Sequence, residues 1–464
     1  MNSTTTAADD GTRRSMVLGA QVMNYGSADA AWRWPGTNPR TYFDPDTWAE
    51  TAAQAERGKM QFLFIADHPA VREDLTHHKP SATIDPIVVA GHVISHTSRI
   101  GIVLTQSTTF NFPYTVARQL KALDLLSGGR IGWNAVTTQE PAIAANFGSP
   151  VADRTTRYAR AHEFVQLVQA LWGSWGPDAL KLDTDAGVFA DATEIRPIDL
   201  AGRHVASRGP LPIPPSPQGQ PILFQAGGGA EALTIAGSYA SGVYSMATDI
   251  QTGRAHRLDL DEAAVQAGRA PEDIRLFMGA FTTVADSMEE ALARREELMR
   301  LSPTPVHARL RHLSALVGAR IPADRLHAQL SASERSSLRP APFQLHAEKA
   351  VRLLTEGHTP YEVLLRGVTD FHTTFLGSPE EIADEMQELF EADACDGFVI
   401  APDVVGDGLP AFTDKVVPVL QRRGLFHADY EASTLRGHFG APRQYGRDVN
   451  PAPEPEIAVG ASDQ

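Results

Sequence analysis

Short apolar runs rich in branched residues recur along this chain, and each is followed by a longer stretch whose apolar residues return every three or four positions. The runs are MVLGAQV (16–22), FLFIAD (62–67), IGIVLTQ (100–106), RIGWNAVT (130–137), PILFQA (221–226), GVYSMA (242–247), RLFMGAFTTV (275–284) and GFVIAP (397–402). They are apolar along most of their length instead of alternating, which suits strands of a parallel sheet covered on both faces; helical crossovers supply the cover. Asp46 is placed to cap a helix over WAETAAQAERGK, Pro113 opens YTVARQLKALDLLSGG, and Thr155 opens TRYARAHEFVQLVQALWGSW. Further helices are expected after the glycines at 227–229 and over 249–267, 287–299, 378–394 and 409–423. Eight strand-then-helix units predict an α/β fold, a closed (β/α)8 barrel with inserted segments. Alternation alone leaves an open doubly wound sheet as the other arrangement.

Two segments break the rhythm. Residues 176–220 end in GPLPIPPSPQGQP, too rich in Pro and Gly for a helix, and are expected to wrap over the barrel. Residues 301–375 carry helical pattern of their own and are expected to form a lid or pocket wall. The expected organisation is a disordered stretch 1–15, one barrel domain 16–425 with both insertions, and a C-terminal extension 426–464 ending in a frayed tail.

Composition narrows the partners. With 41 Lys and Arg against 56 Asp and Glu in 464 residues, the net charge of −15 repels nucleic acid and anionic membranes. The polar N-terminus lacks a secretory signal, no window reaches the length of a membrane span, and a cytoplasmic location is expected. The single cysteine, Cys395, allows neither an internal disulfide nor a thiolate metal cluster, and its place before an apolar strand marks it as core.

In a barrel of this kind the loops at the C-terminal strand ends converge, so candidate chemistry is sought there. These positions hold Asp67 and His68, Thr105 to Thr109, Asn134 to Thr138 with Thr137 among them, and Ala226 to Gly229. The glycines Gly227 and Gly228 lead into a helix and let backbone N–H groups approach a phosphate; a tight strand-to-helix turn is the structural alternative. Arg157 and Tyr158, near the start of the next long helix, supply a cation and a hydroxyl to the same phosphate. His77 and His78 lie in a loop near the expected mouth, and Trp32-Arg33-Trp34-Pro35 either walls a planar ligand or packs its own loop. His92 and His96 have metal-ligand spacing but no third ligand nearby, so no metal site is expected.

At these residues the chain resembles the bacterial luciferase-like flavin monooxygenases, in the branch that holds the nitrilotriacetate and dibenzothiophene sulfone monooxygenases. The resemblance runs from about Leu18 to Leu420. It is carried by AAWRWP, AERGKMQFLFIAD, STTFNFPYTVARQLKALDLLSGGRIGWNAVTT, NFG, RYARAHEF, LWGSW, GPLPIPPSPQGQPILFQAGGG and AGRAPEDI. It implies a barrel that binds reduced FMN, with Asp67, Thr105, Asn134, Thr137, Arg154, Arg157, Tyr158, Ala226, Gly227 and Gly228 as cofactor contacts. It also implies a separate NAD(P)H-dependent FMN reductase, O2 and a small organic molecule as substrates, and a homo-oligomer, dimer or tetramer. His77, His78 and Asn134 are the candidate catalytic residues. Two positions depart from the family's pattern: Arg154 stands where a His is common, and AGGG replaces AGSS. A deazaflavin-dependent oxidoreductase, a non-catalytic flavin-binding barrel and a phosphate-recognising aldolase or isomerase barrel are the rival readings.

Overall fold

A computed structural model describes residues 14–21, 24–71, 74–80, 84–442 and 444. The expectations of disorder before residue 14 and of a frayed tail after 445 lie outside the described residues.

All eight expected strands form, within a residue or two of the expected ends: β1 Val17–Gln21, β2 Phe62–Ile65, β3 Gly101–Ser107, β4 Ile131–Val136, β5 Ile222–Ala226, β6 Gly242–Ser245 and β7 Arg275–Val284, with Gly397–Pro402 as the last of them. A further strand not seen in the sequence, β8 Thr373–Gly377, precedes it, so Gly397–Pro402 is β9. Every pairing in the main sheet is parallel, in the order β6-β5-β4-β3-β2-β1-β9-β7-β8, and β6 also pairs with β7. That last pairing closes the cylinder and settles the choice against an open sheet.

The helices follow from local signals. In α1, Pro45–Arg57, the cap is Asp44, which accepts from the N–H of Asp46, so the cap falls two residues before the expected Asp46. Pro86–Val93 forms α2, and α3, Pro113–Leu126, opens at the expected proline. In α4, Arg154–Trp172, Asp153 caps the first turn and Arg154 is the first helical residue, one earlier than the expected Thr155. Then come α5 Ala230–Tyr239, α6 Ile250–Gln266, α7 Met288–Leu301 and α8 Pro379–Glu391.

Strand alternation sorts the core into two shells. Outward residues such as Ile102, Leu104, Trp133 and Met278 pack with the helices. Inward ones, among them Val17, Phe62, Phe64, Val103, Phe224, Tyr244 and Phe277, form a separate cluster. Glycines admit the large inward rings: a Cβ at Gly19 or Gly242 would overlap Phe62 or Phe224. At the bottom, Phe439 from the C-terminal extension closes on Phe62, Phe224 and Phe277, with centroids 5.4–5.6 Å away. Beside it Leu435 fills the space left by Gly101 and Gly132. Residues 426–442 therefore include the barrel's bottom stopper.

The first insertion packs along α3 and α4. Glu163 of α4 accepts from the backbone of 203–205, and buried Asp124 of α3 binds Ser216 and Gln218. The second has its own apolar core, including Leu313, Val317, Leu354 and Val363.

Candidate functional site

Going up the barrel by two residues from the phenylalanine layer, the inward positions change character. Above Gly19, Phe64, Val103, Gly132, Phe224 and Phe277 stand Gln21, Ala66, Thr105, Asn134, Ala226 and Gly279, with Tyr244 reaching the same level from β6. Polar groups interleaved with small ones make a floor with room above it, at the C-terminal end where the loops converge. Thr105 and Asn134 are register partners across β3 and β4. Asn134 donates from Nδ2 to Thr105 Oγ1 at 2.9 Å, and its Oδ1 is buried without a protein partner.

Across the floor Tyr244 donates to Gln21 Oε1 at 3.3 Å, and its hydroxyl lies 2.9 Å from His372 Nε2. His372 arrives from the second insertion and occupies the space over Gly279, where a Cβ would overlap both it and Tyr244. The Tyr244 hydroxyl thus bridges Gln21 and His372, whose Nδ1 is buried without a partner. Behind it stands His346, also buried, with Nε2 unpartnered. Burial first, then each other's proximity or a nearby lysine, lowers both imidazoles to about 4, so both are neutral at neutral pH. Neither histidine was picked out by the sequence, since His372 enters the floor only through a 70-residue excursion.

At one rim, Ala226 is level with Tyr244 in the sheet, and the loop 227–229 feeds α5. The three glycines differ. Gly227 has φ of +113°, which favours glycine; Gly228 has ordinary backbone, and a Cβ there would touch the ring of His256; a side chain at Gly229 would overlap Arg154 Nη2. Arg154 lies against this loop, paired with Glu231 at 2.8 Å, its guanidinium 5.6 Å from the centre of the Tyr158 ring. Arg157, expected as a cation for the phosphate, is engaged within the protein. It is buried, donating from Nη1 to Ala152 O and from Nη2 to Gln139 Oε1, with Nε unpartnered. It therefore braces the loop after β4, near half-buried Thr137.

Asp67, just beyond β2, has its carboxyl pushed up to about 6, first by burial and then by Asp85. A carboxyl raised in the folded state contributes stability that is complete below about pH 4 and is lost as pH rises through about 6. Asp67→Asn should therefore melt about 1–3 °C above the unsubstituted protein at pH 8, with the difference gone at pH 4, in scans at both values. An unchanged gap would contradict this ionisation.

His77 is exposed, and His78 turns onto Asp74 of its own loop at 3.4 Å. Trp32 and Trp34 pack against a small cluster of Tyr25, Ala31, Leu298 and Val404, and Trp34 carries Arg294 on its ring face and donates to Asp407. That is the loop-packing alternative. His92 and His96 lie with their rings tilted against one another, centroids 4.5 Å apart, and bond backbone carbonyls. Cys395 is buried and its thiol pushed up by that burial.

A cavity of about 240 Å³ opens beside the floor, between Ser27–Asp29, α7 and residues 364–371. Phe281 and Phe371 form its wall and both rings touch His372, while Arg295, held by Asp370, and Arg309, 3.5 Å from Asp29, supply charge. A larger hollow of about 700 Å³ lies between α1 and residues 405–410 and holds no strand-end residue of the floor.

Comparison with known proteins gives these features a setting. A family model described as luciferase-like monooxygenase matches residues 23–395. The chain is 34% identical to N-acetyl-S-(2-succino)cysteine monooxygenase of Bacillus subtilis, over 94% of this chain and 98% of that protein. It is 32% identical to nitrilotriacetate monooxygenase component A of Aminobacter aminovorans, over 95% and 100%. Among solved structures it is similar to EDTA monooxygenase from Chelativorans sp. BNC1, with a TM-score of 0.77, 31% identity, and coverage of 93% of this chain and 99% of that one.

Proposed function

Since this chain belongs to the luciferase-like monooxygenases, a flavin-dependent family of enzymes, we propose that it is the oxygenating component of a two-component system. It takes reduced FMN from a separate NAD(P)H-dependent reductase, and one atom of O2 enters a small organic substrate while the other leaves as water. The observation that carries the reading is the inward tier itself. A buried amide oxygen without a donor at Asn134 sits on a floor of small residues, and a glycine loop with an arginine stands at one rim. An amide oxygen lacking a donor suits the imide N–H of a flavin ring, and exposed loop N–H groups at the start of α5 suit its phosphate. When bound, the flavin supplies the activation of O2.

The chain's own residues have definite tasks in this reading. Thr105 and Asn134 orient the ring from below; Arg154, Tyr158, Ala226, Gly227 and Gly228 hold the phosphate end; Asp67 and Thr137 line the edge between them. Arg157 acts as a positioning residue through Gln139. Asn134, exposed His77 and half-buried His78 are the candidate catalytic groups, and neutral His372 is a hydrogen-bonding group of the floor. The cavity bounded by Phe281, Phe371, Arg295 and Arg309 takes a substrate with an apolar body and a polar or charged end, which suits a sulfur compound, an amine-carboxylate or a heterocycle. No helix among the described residues is long and apolar enough to cross a membrane; a cytoplasmic homo-oligomer completes the proposal.

Anaerobic titration with reduced FMN, followed by assay with an FMN reductase, NADH and O2, tests it directly. Asn134→Ala should weaken reduced FMN by about tenfold, the scale of one lost buried hydrogen bond. A protein that ignores reduced FMN, or one that turns over a deazaflavin without oxygen, would end this reading.

A further inference from the structure

Behind the second glycine of the rim loop lies a side chain that none of the functional assignments uses. His256, on α6, approaches the loop with Nε2 3.6 Å from the point where a Cβ on Gly228 would stand. That nitrogen is buried and has no partner. Its other nitrogen, Nδ1, lies 2.7 Å from Ser245 Oγ at the end of β6. Ser245 Oγ accepts from the N–H of Ala247 at 3.1 Å, and its own hydrogen can be given to Nδ1. A ring that accepts at Nδ1 carries its proton at Nε2, and Nε2–H faces the loop with nothing to receive it. Burial lowers this imidazole, with Asp259 opposing and Arg257 assisting, so the ring is a neutral donor.

The backbone at Gly228 would accept any residue, and a Cβ there would rest in ordinary contact with the His256 ring, so the absence of a side chain here is not a demand of the turn. Gly229 differs, since its bareness makes room for Arg154. The two bare positions thus let one imidazole and one guanidinium approach a loop that offers no side-chain hydroxyl of its own.

We propose that His256, its tautomer set by Ser245, is a phosphate-reading residue: its Nε2–H, passing the bare Gly228, donates to the flavin's phosphate and distinguishes phosphorylated from unphosphorylated flavin. The inference rests on the FMN reading above and deepens it. No bond is made or broken; the gain is one hydrogen bond to a charged acceptor.

The full-length chain is titrated anaerobically with photoreduced FMN and photoreduced riboflavin, following protein fluorescence. Unsubstituted protein should prefer FMN. His256→Ala should weaken FMN by about tenfold and leave riboflavin unchanged, the second ligand serving as a check that the fold and ring site survive. Ser245→Ala should weaken FMN selectively and by less. In the His256→Ala background, Gly228→Ser should recover part of the lost preference by supplying a hydroxyl donor. The proposal is overturned if His256→Ala keeps the preference for FMN of the unsubstituted protein, or weakens both flavins alike. If the unsubstituted protein itself binds neither flavin or shows no preference, the FMN reading fails first, and the two failures stay distinct.

Discussion

Acidification from pH 7 to 4 is expected to remove on the order of 3 kcal/mol of folding stability for each of two imidazoles, His346 and His372, beyond the loss from other groups. Both are buried and both are lowered from 6.5 to about 4. A depressed imidazole contributes stability that is present above pH 6.5 and is lost as pH falls toward 4, since the unfolded chain takes up a proton that the folded chain refuses. The environment explains the refusal. His372 is wedged among Tyr244, Phe281 and Phe371, and His346 sits where Lys349 opposes a second positive charge. Urea unfolding at pH 7, 5 and 4 measures the effect. The double substitution His372→Phe with His346→Asn keeps an aromatic ring and a residue that tolerates the left-handed backbone at 346, where φ is +63°. It should show a shallower decline over this range; the same decline as in the unsubstituted protein would refute the assignment.

Phe439→Ala is the second substitution with a large expected effect, about 3–5 kcal/mol of lost stability. The ring contacts three phenylalanines that are themselves fully buried, and strands on every side of the cavity prevent collapse into the vacated space. Denaturant titration should show a lower midpoint with unchanged slope. Because the stopper lies at the opposite end from the Asn134 floor, reduced FMN should bind as before. A loss below about 1 kcal/mol would mean that the C-terminal extension packs less tightly than its contacts indicate.

Much of this architecture could be read from the chain because parallel strands buried on both faces leave nearly continuous apolar runs, and eight such runs were legible. What was not legible is instructive. Gly19 and Gln21 are the residues of the first run that are not large and apolar, and both face inward, one yielding to Phe62 and the other meeting Tyr244. The strand TTFLG at 373–377 was absorbed into the second insertion, because five residues at the end of a segment with helical pattern give too few positions to count a period. In the candidate site, Thr105, Asn134 and the glycine loop could be found from their places at strand ends. His372 and His256 could not, since the first reaches the floor from a long excursion and the second from the far side of a helix. Arg157 stands out in the sequence as a cation near a helix start, whereas its bonds to Gln139 and Ala152 are visible only in the structure.

The position of β8 has a consequence for anyone recombining these enzymes. β6 ends its pairing with β7 at Met278, and β8 takes over the same edge from Ala280 to Val284. The second insertion thus finishes as a stave of the cylinder instead of returning as a detachable appendage. A chimaera joined before Thr373 would bring in a foreign excursion and leave its last five rungs mismatched, whereas a junction placed after Gly377 would carry the excursion and its anchor together.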